Sequence, residues 1–351
     1  MDFIKSNNYS IFFSDSGFKE FDNLIQLNKY SKIFVHVDTN TKKYCLDIFI
    51  KKIKSIEFEI IESVPGEENK NLESCINLWS IISSKRGDRR SLIINLGGGV
   101  VSDMGGFVAS TFKRGIDYIN VPTTLLAIVD ASVGGKTGID FQFLKNQIGT
   151  FYEPKMIVVD PIFINTLSKQ EVLSGYAEIF KHSLIVKSKL FEKLIKQNDF
   201  YYPELELIKE SITIKNSIVL ADRNEMKERK VLNFGHTLGH AIETNSLIKN
   251  KKLLHGFAIS IGFILEGYLS NLLFGFPIEN LESIKNHIIK KYGKTVFSKN
   301  DILSIQELLI HDKKNSHGKT KFLLLKNLGE PVYDVEVEKY LIQKAFDFYD
   351  A

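Results

Sequence analysis

The stretch Ser91-Leu-Ile-Ile-Asn-Leu-Gly-Gly-Gly-Val-Val-Ser-Asp103 carries an apolar run straight into three consecutive glycines and then into a segment that can begin a helix. Strand, glycine loop and helix in that order let backbone N–H groups and a helix N-terminus approach a phosphate closely, because glycine imposes no Cβ. The spacing is not G-x-G-x-x-G, so it supports a phosphate or dinucleotide loop without choosing between them, and a tight turn needing positive φ would use the same glycines. Upstream, Ile33-Phe-Val-His-Val37 reads as a buried strand ending at Asp38-Thr-Asn40. Phe58 to Val64 reads as another, closing on Pro65-Gly-Glu-Glu-Asn-Lys70, with a helix expected from Leu72 to Ser84. Downstream, Tyr118-Ile-Asn-Val121 and Met156-Ile-Val-Val-Asp160 are further strand candidates. Apolar runs alternating with amphipathic stretches are the pattern of a parallel sheet flanked by helices. A long polar insert, Asp130-Ala-Ser-Val-Gly-Gly-Lys-Thr-Gly-Ile-Asp140 followed by Lys145-Asn146, interrupts the series, and an apparent loop of that length is usually either functional or not a loop at all.

Beyond about Ser168 the pattern becomes helical, with periodic segments over 171–186, 190–197, 205–220, 229–245, 257–274 and 278–291. The expected organisation is an α/β, Rossmann-like nucleotide-binding domain over 1–165 and an all-α domain for metal and substrate over 166–351. A chain of 351 residues fits two domains. Its 44% hydrophobic and 25% charged content is globular, and a net charge of +4 from 46 basic and 42 acidic residues argues against a nucleic-acid or membrane surface. No signal pattern opens the chain and no apolar run is expected to reach membrane-span length. Cys45 and Cys75 lack metal-type spacing and are expected as reduced, buried thiols in a cytoplasmic protein.

Three of the eight histidines fall in one window: His236 and His240 in Val231-Leu-Asn-Phe-Gly-His-Thr-Leu-Gly-His-Ala-Ile-Glu243, then His255 in Leu-Leu-His-Gly. On a helix, Asn233, His236, His240 and Glu243 would share a face able to hold a divalent metal, for which nitrogen ligands and a carboxylate suit Zn²⁺. A His-x-x-x-His pair also occurs on ordinary helices, where each ring merely packs. Glu178 and Lys181 lie three apart between apolar neighbours, so a half-buried pair asking for partners stands beside the blander reading of a solvated ion pair. Arg114, Lys136, Lys145, Lys215, Arg229 and Lys313-Lys314 are cations suited, together, to a small polyanion.

The residues then form an ordered series: Pro-Gly-Glu at 65–67, Gly-Gly-Gly-Val at 97–100 with Asp103, Lys113-Arg-Gly115, Val121-Pro-Thr-Thr-Leu-Leu126, Val129-Asp-Ala-Ser-Val-Gly-Gly-Lys-Thr-Gly138, Lys145-Asn146, Ala177-Glu-Ile-Phe-Lys181, Asn233-Phe-Gly-His-Thr-Leu-Gly-His-Ala241 and Leu254-His-Gly256. In order and spacing, from about Asp38 to Lys314, this series resembles the 3-dehydroquinate synthase family of sugar-phosphate cyclases. The resemblance implies a carbon–oxygen lyase of the shikimate pathway that uses NAD and Zn²⁺ or Co²⁺. Its substrate would be a small phosphorylated sugar acid, 3-deoxy-D-arabino-heptulosonate 7-phosphate, converted to 3-dehydroquinate and phosphate. A homodimer is expected on the same ground. A sibling cyclase acting on sedoheptulose 7-phosphate is the alternative, and an iron-dependent or glycerol-type dehydrogenase is a more distant one.

Carried over by position, the resemblance makes Glu178, His236 and His255 the metal ligands and moves His240 from ligand to substrate hydrogen bonding and proton transfer. Asp130, Lys136, Asn146, Lys181, Lys215, Arg229, Asn233 and Lys313 would line the substrate site, with Arg114 and Lys145 near its phosphate end. Asp38, Asn40, Glu67, Lys70, Gly98, Gly99, Val100, Asp103, Thr123, Thr124, Lys136, Lys145 and Thr166 would hold NAD. The chain departs from the family at Phe257, where Glu commonly follows the His-Gly pair, at Ser102, where Gly is common, and at Glu153, where an amide is usual. Loss of a carboxylate at 257 is expected to alter the surroundings of the metal ligands.

Overall fold

The computed structural model describes residues 2–142, 144–197, 202–251, 253–309 and 320–351. The chain divides into two compact units, one of residues 1–168 with 204–223, the other of 169–203 with 224–351. The helix Leu205–Ala221, which follows the second unit's first helices in sequence, thus packs with the first unit.

The first unit is built on a seven-stranded sheet of β1 (Phe3–Lys5), β2 (Ser10–Phe13), β3 (Ile33–Asp38), β4 (Glu59–Ser63), β5 (Leu92–Gly97), β6 (Asp117–Pro122) and β9 (Ile157–Val159), in the order β1-β2-β9-β6-β5-β3-β4. Only the β1/β2 pair is antiparallel. The central strands are apolar on both faces because both are covered. Leu92, Ile94 and Leu96 of β5 face a core with Phe18, Phe21 and Phe49, whereas Ile93 faces one with Leu78, Ile82 and Val108. The chain passes from β3 outward to β4 and returns to β5 on the other side, which places the topological switch, and so the ligand crevice of such sheets, at the carboxyl ends of β3 and β5.

The polar insert expected as a loop is instead a five-residue π-helical turn, Ala127–Ala131, and a hairpin of β7 (Lys136–Phe141) and β8 (Leu144–Phe151). Its sequence is rich in glycine and charge, and the strand character comes from docking against the helix Gly99–Thr111 rather than from local propensity.

The second unit is arranged around the helix His255–Phe274, which packs against Lys169–Ile185, His236–Ile248, Ile278–Tyr292 and Lys339–Asp350. This helix is long and apolar enough to cross a membrane by length and composition, which corrects the expectation that no run reaches that length. Ala258, Ile259, Phe263, Ile264, Leu265 and Leu269 are all buried, the all-round burial of a core helix. The unit is helical but not wholly so: β10 (Lys321–Asn327) and β11 (Glu330–Glu336) form an antiparallel hairpin that the helical periodicity did not foreshadow.

Candidate active site: a nucleotide cradle and a histidine–carboxylate cluster

In the first unit the candidates gather where the strands end. Asp38 closes β3 and caps the next helix, accepting from the Thr41 amide at 2.7 Å, with Asn40 exposed in that helix's first turn. Gly98 is the N-cap of the helix Gly99–Thr111 and, lacking a side chain, leaves the first-turn amides of Gly99 and Val100 without a side-chain cap. A Cβ on Gly99 would meet only Ala131, at 3.4 Å, so the loop has room on its open side. Thr123 and Thr124 follow β6, with the Thr123 amide donating to Gly97 at 3.0 Å and the Thr124 hydroxyl accepting from Ala127 at 3.1 Å. The Thr166 hydroxyl donates to Phe163 and lies 3.7 Å from the buried Cys45 thiol.

A charged cluster stands beside the loop. Lys70 is buried and donates to Asp103 Oδ2 and to Asn146 Oδ1, both at 2.6 Å, with Glu67 at 3.9 Å. Burial works against its charge, but Asp103 and Glu67 raise its pKa above the ordinary lysine value, so it stays an ammonium. Lys145 approaches Glu67 at 3.7 Å. Asn146, at φ +53°, donates its backbone N–H to Asp140 Oδ1 at 2.8 Å. The side chain of Asn146, assigned to substrate, is therefore held by Lys70, a group assigned to NAD. Lys215 reaches the Asp130 carboxylate at 2.7 Å and also its carbonyl. Lys136 opens β7 and is exposed. Arg114 precedes β6 and so lies at the amino ends of the strands, a strand's length from the glycine loop.

In the second unit a metal-type cluster has formed. Glu178 is wholly buried on the helix Lys169–Ile185, and its Oε1 lies 3.3 Å from His236 Nε2 and 3.3 Å from His255 Nε2. Ligands about 2.1 Å from a tetrahedral ion stand about 3.4 Å apart, and both separations from the Glu178 oxygen to the histidine nitrogens are of that size. Each histidine is held through its other nitrogen: His236 Nδ1 pairs with the Phe234 carbonyl at 3.1 Å and His255 Nδ1 with Glu243 Oε2 at 3.3 Å. Bonds of that kind fix the tautomer that points Nε2 at a metal. Lys181 pairs with the other Glu178 oxygen.

The electrostatics follow from this packing. Burial would raise the Glu178 carboxyl, but Lys181 and His236 hold it well below the usual carboxylate range. Burial, assisted by Lys181, pushes His236 down to about 4. For His255 burial is outweighed by the Glu178 and Glu243 carboxylates, which push it up to about 9.

His240 is half-buried, its ring 5.2 Å from that of His236 and 5.7 Å from that of His255. One ligand nitrogen from each of the three histidines falls within 4.8 Å of the others. Asn233 does not share the histidines' helix: it ends the 3₁₀ turn Glu228–Asn233, Gly235 takes φ +75°, and the helix starts at His236. Asn233 donates instead to Glu225 at 2.9 Å, and Arg229 is buried in the same turn. Lys313 lies outside the described residues. Glu243, read as part of a metal-holding face, serves as the partner of His255.

Phe257 takes the place of a carboxylate with a packing contact. Its ring meets Tyr292 edge-on at 5.0 Å, and the Tyr292 hydroxyl donates to the Leu173 carbonyl of the Glu178 helix at 3.0 Å. Gly256, between Phe257 and His255, donates to Ser174 Oγ at 3.0 Å, and a Cβ there would run into the Ser174 carbonyl at 2.1 Å.

A switch-point glycine cradle followed by a helical unit with a histidine–carboxylate cluster defines a class. The fold is that of the sugar-phosphate cyclases: it superposes on 2-deoxy-scyllo-inosose synthase complexed with carbaglucose-6-phosphate, NAD⁺ and Co²⁺ with a TM-score of 0.83 at 24% identity, covering 98% of this chain and 99% of that one. It matches 2-epi-5-epi-valiolone synthase from Streptomyces hygroscopicus with NAD⁺ and Zn²⁺ bound at the same TM-score and 21% identity, over 100% and 99% of the two chains. Sequence narrows the class. Residues 60–174 match the 3-dehydroquinate synthase N-terminal family model and 175–315 the 3-dehydroquinate synthase C-terminal model, and the chain belongs to the 3-dehydroquinate synthase family. The 3-dehydroquinate synthase of Parabacteroides distasonis is 42% identical over 334 residues, 94% of each protein, and that of Campylobacter jejuni 36% over 348, covering 96% and 95%.

Proposed function

We propose that the chain catalyses the reaction of its family, converting 3-deoxy-D-arabino-heptulosonate 7-phosphate to 3-dehydroquinate and inorganic phosphate. In class it is a carbon–oxygen lyase that ends each cycle with its NAD unchanged. The observation that carries this reading is the convergence of Glu178 Oε1 with two histidine nitrogens at 3.3 Å, in a chain of this family. One carboxylate and two imidazoles with an open fourth position are the donor set of a catalytic Zn²⁺ or Co²⁺ site, and the residues fit that ion. The uncapped amides at Gly99 and Val100, beside a loop with room for a ligand, fit the pyrophosphate of NAD in the same way. When bound, the metal polarises substrate hydroxyls and the nicotinamide accepts and returns a hydride.

The chain's own groups do the rest. Arg229, buried and always charged, suits the substrate carboxylate, for which a planar fork is the better match. Lys181, paired with the second oxygen of Glu178, stands beside the metal ligands. On this reading Glu178 is the third ligand, and His240, half-buried against the rings of His236 and His255, holds or passes a proton. Asp130 fixes Lys215, and exposed Lys136 supplies a second cation for an anionic substrate. Lys70, Asp103, Glu67 and Asn146 organise the nucleotide side. A homodimer in the cytoplasm completes the reading, checked by sedimentation and fractionation.

The test is phosphate release from the heptulosonate by protein loaded with NAD⁺ and Co²⁺ or Zn²⁺. Phosphate is expected without a steady rise in absorbance from NADH. Turnover confined to sedoheptulose 7-phosphate, or NADH that accumulates with product, would refute the proposal.

A further inference from the structure

We infer that Glu266 is a positioning residue for the metal site, holding the backbone on both sides of His236 from a neighbouring helix. The inference rests on the metal reading of Glu178, His236 and His255. Glu266 is the only Asp, Glu, Lys or Arg in His255–Phe274 and is fully buried. Its Oε2 accepts the Gly235 amide at 2.7 Å and its Oε1 the Leu238 amide at 2.9 Å. Gly235 is the N-cap of His236–Ile248 and has no side chain with which to cap it, so the helix that begins with a proposed ligand takes its cap from another element. A carboxylate facing the amides of a helix N-terminus also meets the positive end of the helix dipole.

The two helices are close enough for this reach because their contact is lined with glycine. A Cβ on Gly262 would fall 1.9 Å from the Gly235 carbonyl oxygen, and one on Gly239 would fall 2.9 Å from Ile259 Cα. Residues 235 and 238 bracket His236, whose Nδ1 is held by Phe234 and whose Nε2 faces Glu178. With both flanking amides fixed by one rigid carboxylate, the imidazole has little freedom left, and the separation from Glu178 is set before an ion arrives.

The test uses Glu266→Gln in the full chain, titrated with Co²⁺ and read by its visible absorption, with amide hydrogen exchange measured in parallel. Glutamine keeps one accepting oxygen but turns an NH₂ toward one of the two amides. Co²⁺ affinity is expected to fall about ten- to a hundredfold, with a changed absorption band, as for other partners that orient metal ligands. Exchange at Gly235 or Leu238 should rise, and Glu266→Asp should recover part of the affinity. A folded Glu266→Gln protein with unchanged Co²⁺ affinity and spectrum overturns the inference. If that variant does not fold, the wild-type protein decides. Slowed exchange at Gly235 and Leu238 on adding Co²⁺ supports the inference, and exchange indifferent to Co²⁺ refutes it. Failure of wild-type protein to bind Co²⁺ at all would instead remove the metal reading itself.

Discussion

His255 and His240 are both histidines of one window, yet their environments separate them. His255 Nδ1 is held by Glu243 while its Nε2 faces Glu178, whereas His240 lies against the other two rings. His255→Ala is therefore expected to abolish retention of Zn²⁺ or Co²⁺ through gel filtration, measured by elemental analysis, while His240→Ala retains metal and loses turnover. Equal metal loss in both would return His240 to the ligand set. Glu243→Gln should cost about ten- to a hundredfold in metal affinity, because the amide holds the His255 tautomer less firmly than a carboxylate does. Affinity unchanged in that variant would show that the 3.3 Å contact plays no part in orienting the ring.

At the scale of elements, the pairing of His236–Ile248 with His255–Phe274 brings two proposed ligands together. Gly235, Gly239 and Gly262 let the backbones approach, so the glycines in the Gly-His-Thr-Leu-Gly-His run serve helix contact rather than metal chemistry. A methyl group at 262 meets a carbonyl oxygen that cannot rotate away. Gly262→Ala is expected to destabilise the second unit by about 1–3 kcal/mol, the usual cost of overpacking, and to weaken metal binding with it. Denaturant unfolding followed through that unit measures the first effect. A midpoint equal to wild type would mean the helices can part without cost.

On the scale of the first unit, a polar row crosses four strands under the helix Gly99–Thr111. Ser63 Oγ lies 3.1 Å from His36 Nε2, His36 Nδ1 3.3 Å from Asn95 Oδ1, and Asn95 donates to Asn120 at 3.0 Å, which donates to the Ser132 carbonyl at 3.4 Å. Burial pushes His36 down to about 4, although its bond to Asn95 and the nearby Asp38 act the other way. Unfolded, the same imidazole would bind a proton near its ordinary value, so the folded state binds fewer protons at mildly acid pH. Its contribution is then fully present above about pH 6.5 and lost as pH falls toward 4, roughly 3 kcal/mol over the whole window. In His36→Asn the dependence of stability on pH between 6.5 and 4 should be shallower than in wild type, as followed by urea unfolding. Parallel curves for the two proteins would exclude His36 as the source. His236 and His287 are pushed down in the same way and leave a residual slope.

Much was legible from the chain alone, because it is encoded locally. Buried parallel strands read as apolar runs and helices as periodic stretches, so β3, β5, β6 and the helix Leu72–Ser84 fall where their residues put them. The ordered motifs of the family, from Pro65-Gly-Glu67 to Leu254-His-Gly256, fixed the family and with it the expected ligands. What tertiary structure alone decided depends on residues far apart in sequence. The β7/β8 hairpin acquires its form from the helix it packs on, the break at Phe234–Gly235 removes Asn233 from the histidine helix, and the helix Leu205–Ala221 packs with the first unit. Glu266 had one visible signal, a lone acid in an apolar run, which must find a partner when buried. Its partners, the amides of Gly235 and Leu238, lie about thirty residues away and meet it only because three glycines let two helices touch. Local pattern thus specifies which residues are capable of the chemistry, while long-range packing fixes the few ångströms of separation on which that chemistry depends.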